Sequence, residues 1–236
     1  MIEGVIGSYL FHNITIKKMF ETFKKKYLYF PGCLSNYVLP EIVENYRKIF
    51  FKLKIQTYNL SSLNCCGTIA YNNGYNKDFE EIRSKNLAFF NQNNVKNIVT
   101  NDPGCLKTLN QLYSLSTIHV TQLITKYIRK LPVKFDEKVN YYDSVSLNVY
   151  EGPRKILEAL GFEIKELKRN KQNSVLCGAE GGLMHNLPSL ANKISKEVFD
   201  MCTEKKLIVL DPLAYYHLKN NAPRNIQVME MSEVII

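Results

Sequence analysis

Several features are missing from this 236-residue sequence, and each absence narrows what the chain can be. No apolar run approaches the roughly 20 residues that span a bilayer, so membrane contact is expected only indirectly, through partners. The N-terminus, MIEGVIGSYLFHNITIKKMF, lacks the order of charge, apolar core and small-residue cleavage site that marks a signal peptide. A cytoplasmic protein is expected, at most docked to a membrane complex. No nucleic-acid-binding motif accompanies the net charge of +9, and the sharpest basic run is only Lys24, Lys25 and Lys26. A solvated face or an acidic partner subunit is therefore expected, not nucleic acid. The four histidines, His12, His119, His185 and His217, fall in no ligand spacing such as H-x3-H. CGAEGGL (177–183) has neither G-x-G-x-x-G order nor a Walker lysine, which excludes the common phosphate loops.

What remains is a chain able to bury an ordinary core, with 45% hydrophobic and 11% aromatic residues. It carries six cysteines: Cys33, Cys65, Cys66, Cys105, Cys177 and Cys202. In a reducing compartment, clustered thiols point to metal or catalysis more than to disulfides.

The sequence repeats itself. YLYFPGCLSNYVLPEIVENYRKIFFKLKIQTYNL (27–60) has a counterpart in VNYYDSVSLNVYEGPRKILEALGFEIKELKRN (139–170). NCCGTIA (64–70) aligns with VLCGAEG (175–181), and IVTNDPGCLKTL (98–109) with IVLDPLAYYHL (208–218). Cys33 meets Val145 at an offset of 112 residues, the Cys65–Cys66 pair meets Leu176 and Cys177 at 111, and Asp102 and Cys105 meet Asp211 and Ala214 at 109. Independent matches drifting by so little indicate a duplication.

Each copy runs from a short strand through a turn into an amphipathic helix and a second strand. The expected elements are strands at Tyr27–Phe30, Lys54–Tyr58, Asn97–Thr100 and Leu207–Leu210, and helices at Pro40–Leu53, Lys77–Gln92, Gly104–Tyr113 and Pro188–Lys205. Strands alternating with helices imply an α/β fold of two tandem Rossmann-like repeats with parallel sheets. The expected division is an N-terminal extension at 1–26, helical from Ile14 to Lys26, a first repeat at 27–132, and a second at 133–236. In such sheets the loops at the strands' carboxyl ends line one crevice. Cys33, Cys65, Cys66 and Cys105 all lie on such loops, and convergent thiolates suit a metal or an iron–sulfur cluster. Gly32, Gly67 and Gly104 beside them permit tight turns. Cys202 reads as a packing residue. Cys177 reads as a remnant of the second site, with a nucleophile paired to His185 as the minor alternative.

The pattern Cys-x31-Cys-Cys-Gly-x37-Cys, with YFPGCL, NCCGTIAYNNGY and TNDPGCLKTL around it, resembles the duplicated cysteine-rich CCG family. That family includes a cysteine-rich subunit of heterodisulfide reductase, the iron–sulfur subunit of glycolate oxidase and the lactate-utilisation iron–sulfur proteins. YYDSVSL, EGPRKILEALGFEIKEL and LCGAEGGL resemble its second repeat. The resemblance implies an iron–sulfur cluster of [4Fe–4S] type and a subunit of a heterodisulfide-reductase-like oxidoreductase complex, serving electron transfer or disulfide and sulfur-carrier chemistry. It implies flavin-containing and ferredoxin-like partner subunits. A full family repeat carries a fifth cysteine where this chain has Asp102, which becomes a further candidate cofactor contact. The second repeat has Val145, Leu176, Asp211 and Ala214 at cysteine positions, so a single centre is expected, on Cys33, Cys65, Cys66 and Cys105. Zinc on the same four thiols, in a structural or assembly subunit without redox activity, is the alternative.

Overall fold

Short β-branched and aromatic runs form the strands of two parallel sheets in this computed structural model, which describes residues 26–60, 65–147 and 150–236. In the first half, β1 (Tyr27–Tyr29), β2 (Thr57–Tyr58), β3 (Ile98–Thr100) and β4 (Thr117–His119) lie in the order β2-β1-β3-β4. In the second, β5 (Glu137–Tyr142), β6 (Phe162–Glu166), β7 (Lys206–Val209) and β8 (Gln227–Glu230) repeat it as β6-β5-β7-β8. Each half is α/β with a Rossmann-like, all-parallel sheet.

The strand register carries the duplication into three dimensions. Leu28 pairs with Ile98 and Tyr29 with Val99; Asn140 pairs with Leu207 and Tyr141 with Ile208. The first partners are separated by 112 residues and the second by 109, the offsets of the sequence alignment. The match extends to a part the alignment did not reach. Thr100 pairs with His119 and Val209 with Glu230, and both His119 and Glu230 cap a following five-residue helix through reciprocal side-chain and backbone bonds.

Alternation along β1 and β3 divides the interior. Tyr27, Tyr29 and Val99 face a large core that also holds Tyr46, Ile49 and Phe50 of the helix Pro40–Leu53 and the sheet of the second half. Leu28, Phe30 and Ile98 face a smaller core containing Phe79, Phe90, Leu109, Cys66 and Cys105. The helix Pro40–Leu53 is thus shared between the halves, and Tyr46 donates to buried Glu230 across the junction (3.2 Å).

Two elements differ from the expectation. The strand expected at Lys54–Tyr58 is only Thr57–Tyr58, because Lys54 caps the preceding helix in the left-handed conformation (φ 57°) and Ile55 turns back into the core. The helix expected over Pro188–Lys205 ends at Asp200, where Thr203 and Glu204 instead donate their amides to the Asn140 side chain. The remaining boundaries shift by one or two residues, as helix and strand ends do. The helix expected at Ile14–Lys26 falls almost wholly outside the described residues. Among the described residues, no helix is long and apolar enough to cross a membrane.

Candidate metal centre

The topology brings the cysteines together before any ligand is invoked. β1 and β3 are neighbours whose connections leave in opposite directions, the switch point at which α/β sheets open a crevice. Cys33 begins the helix after β1, and Cys105 lies in the first turn of the helix after β3. Cys65 and Cys66 enter from the chain beyond β2 and lead into a third helix at Thr68. Three helix N-termini therefore face the thiols, and their free amides and dipoles favour anionic sulfur.

The sulfurs touch. Cys66 Sγ and Cys105 Sγ lie 3.1 Å apart, and Cys65 exchanges hydrogen bonds with Cys33 and with Cys66. Gly67 donates its backbone amide to Cys65 Sγ (3.3 Å). Those bonds from Cys33, Cys66 and Gly67 pull the Cys65 thiol down to about 2, while Cys33 and Cys66 are pushed up, first by the same shared hydrogen bonds and then by burial. For Cys105 the bond with Cys66 lowers the pKa, but burial and the Asp102 charge outweigh it and raise the thiol to about 12. Cys65 is the anion of the group.

Two glycines make this approach possible. At Gly32 (φ 79°) a Cβ would stand 3.0 Å from Asp102 Oδ2 and 3.3 Å from Cys105 Sγ; at Gly67 (φ 84°) it would strike Phe79 at 2.8 Å. Asp102 sits between them as an N-cap, accepting from Cys105 N at 2.8 Å. Burial, and then the Asp211 charge across the junction, raise its carboxyl to about 6.

As donors, four thiols from three loops suit an iron–sulfur cluster or zinc. As positions they are drawn in: among the described residues no three Cys, His, Asp or Glu side chains stand around a common point as metal ligands. Sulfurs around a tetrahedral zinc stand about 3.7 Å apart, given Zn–S bonds of ~2.3 Å, so ligation requires Cys66 and Cys105 to separate slightly.

Two residues that sequence reasoning passed over hold the CCG loop. Buried Asn86 donates to the Cys65 carbonyl (2.9 Å) and to Tyr113 Oη (3.0 Å), and Tyr113 donates to the Cys66 carbonyl (3.0 Å). The signal was present, since Asn86 is polar yet in helical register with Phe79 and Phe90. Tyr71 packs against Phe79 (centroids 5.1 Å apart) beside the pair, while Tyr75 is exposed.

The second half gathers no such thiols. Val145 and Leu176 are exposed, Ala214 is buried, and Cys177 is fully buried with its Sγ toward Glu180 (3.6 Å). His185 stands on a separate short helix, so no Cys177–His185 pair forms, and burial raises the Cys177 thiol. Here the loops are tied without sulfur. Arg154, on the helix after β5, pairs with Asp143 (2.7 Å) and with Glu166 at the end of β6 (2.6 Å). Asp143 also accepts from Lys171 N, and Ser144 donates to Asp211 Oδ2 after β7 (2.6 Å). Asp211 is an N-cap like Asp102. Cys202 lies just past the end of its helix, partly buried against the core. His217 is buried against the Ala191 carbonyl, and His12 lies outside the described residues.

Fold and site together define a tandem α/β repeat protein with one thiol-lined crevice. Residues 27–110 match the family model of the cysteine-rich domain, CCG, and the chain carries a domain of that family. An uncharacterized iron–sulfur protein of Methanocaldococcus jannaschii is 27% identical over 216 residues, covering 86% of this chain and 43% of the relative. One subunit of the dihydromethanophenazine:CoB–CoM heterodisulfide reductase of Methanosarcina acetivorans is 24% identical, covering 73% of this chain and 47% of that one. The chain thus spans less than half the length of these curated relatives. The crystal structure of a hypothetical protein from Helicobacter pylori shares the fold at a TM-score of 0.58 with 12% identity, over 89% of this chain and 48% of that one. The relatives are iron–sulfur proteins and include a component of a multi-subunit redox enzyme.

Proposed function

We propose that the chain is an iron–sulfur subunit of a heterodisulfide-reductase-like oxidoreductase complex, with one [4Fe–4S] cluster on Cys33, Cys65, Cys66 and Cys105. The observation that carries this reading is the meeting of four thiols from three post-strand loops at one switch point. Residues 27–132 then form the metal-binding unit and 133–236 a unit whose own centre has been replaced by the Arg154 ion pairs.

When bound, the cluster supplies one-electron redox capacity. The chain's residues hold and tune it. Cys65 arrives already anionic, the Gly67 amide donates to its sulfur, and Asn86 with Tyr113 fix both carbonyls of the pair. Asp102 positions Cys105 through its cap and sets a carboxylate close to the sulfurs. A single centre favours electron relay, or sulfur-carrier chemistry, over two-cluster disulfide cleavage. Flavin-containing and ferredoxin-like subunits are the partners that such a relay needs, in a cytoplasmic assembly that reaches a membrane only through them.

The test is serine substitution under anaerobic conditions. Cys65→Ser should abolish the visible absorption of the protein, and Cys202→Ser should leave it intact; equal loss from both would sink the reading. A structural zinc site is the second reading. The 3.1 Å approach of Cys66 and Cys105 favours it, because sulfurs around one ion stand closer than sulfurs around a cluster.

A further inference from the structure

The thiols do not fill the crevice. On the Cys33 side an open cavity of about 420 Å³ lies along the end of β1, within the size range of small-molecule sites. Phe30, Pro31 and Leu60 give it apolar walls, and Asn36 and Asn59 contribute amides. Arg47 is the one charged residue among the described residues that line it. It stands on the helix Pro40–Leu53, where Glu44 pairs with Lys48 instead (3.9 Å). Among the described residues, no carboxylate comes within ion-pair distance of Arg47.

A guanidinium without a counter-ion on a cavity wall is a ready receptor for an anion. Its planar fork of donors matches a carboxylate through two parallel hydrogen bonds, which an ammonium cannot reproduce. A single cation suits a single negative charge, and the apolar walls suit a short carbon body behind it.

We propose that this cavity binds a small organic carboxylate, with its head on Arg47 and its body along Phe30, Pro31 and Leu60, so that its far end points to Cys33. That the bound molecule meets a cluster there rests on the function proposed above; that the carboxylate binds does not. Two residues, one cation and one thiol, thereby define the two ends of the site.

The test is calorimetric titration of the full chain with acetate, butyrate and hexanoate, with hexylamine and inorganic phosphate as controls, on both iron-loaded and metal-free protein. Affinity should rise about fourfold for each methylene that becomes buried. Arg47→Gln, at an exposed position that leaves the fold intact by circular dichroism, should weaken hexanoate at least tenfold, and Arg47→Lys should restore only part of it. Hexylamine should not bind. No hexanoate binding, equal binding to Arg47→Gln, or phosphate binding as tightly as hexanoate would overturn the assignment. Protein that binds hexanoate but never iron defeats the cluster reading alone, and protein that holds iron but ignores hexanoate defeats the cavity assignment alone.

Discussion

Asn86 is the residue on which the shape of the CCG loop turns. Its amide satisfies the Cys65 carbonyl and the Tyr113 hydroxyl inside the smaller core, where water cannot replace it. Asn86→Ala leaves both partners unpaired and should cost about 2 kcal/mol, since a buried polar group without a partner costs ~1–3 kcal/mol. Urea unfolding measures this; a change below about 0.5 kcal/mol would mean that the loop holds itself. Asp102 shows how one residue can be read in two ways. Its place after a strand and before a proline marks an N-cap in the sequence alone, and the cap is there. Its nearness to the sulfurs became visible only through the cradle at Gly32.

At the scale of elements, the two halves solve one problem with different chemistry. Loops after strands need ties, and the first half brings thiols together where the second uses Arg154 between Asp143 and Glu166. Removing one partner of a buried ion pair strands the others, at a cost of about 3–5 kcal/mol. Glu166 is partly exposed and water recovers some of that, so Arg154→Met should cost about 3 kcal/mol. The iron content of the surviving folded fraction should not change, because the pairs lie in the other half. The parallel sheets, the helices and the gathering of four thiols were legible in the sequence, because alternation, amphipathic spacing and repeat offsets are local or periodic. Arg154 with its two carboxylates was not: Asp143, Arg154 and Glu166 are separated by 11 and 12 residues, and only strand pairing shows that they meet. β4 and β8 were missed for a related reason. Each is only three or four residues long, and its polar last residue, His119 or Glu230, hides a cap in what looks like a loop.

Across the whole molecule those two caps set the pH response. Burial raises Glu230 to about 8 and lowers His119 to about 4, so the fold prefers both side chains neutral. For Glu230 the native state holds more protons than the unfolded chain between about pH 4.5 and 8, so stability falls as pH rises through that window. For His119 it holds fewer between about 4 and 6.5, so stability falls as pH drops there. The opposing slopes largely cancel between about pH 4.5 and 6.5, leaving the Glu230 loss from about 6.5 to 8, at no more than ~1.4 kcal/mol per pH unit. Glu230→Gln keeps an acceptor for Ser232 N and a partner for Tyr46 Oη, and should flatten that upper limb in thermal unfolding followed against pH. An unchanged limb would show that Glu230 is already ionised in the fold.

The central claim is that the four thiols of the first half hold one iron–sulfur cluster and the second half holds none. Metal and sulfide analysis of anaerobically purified protein, read together with electron paramagnetic resonance of the reduced form, tests it directly. The account predicts a brown protein with about four irons and about four sulfides per chain and the signal of a single reduced cluster. A colourless protein with one zinc per chain and no such signal would contradict it.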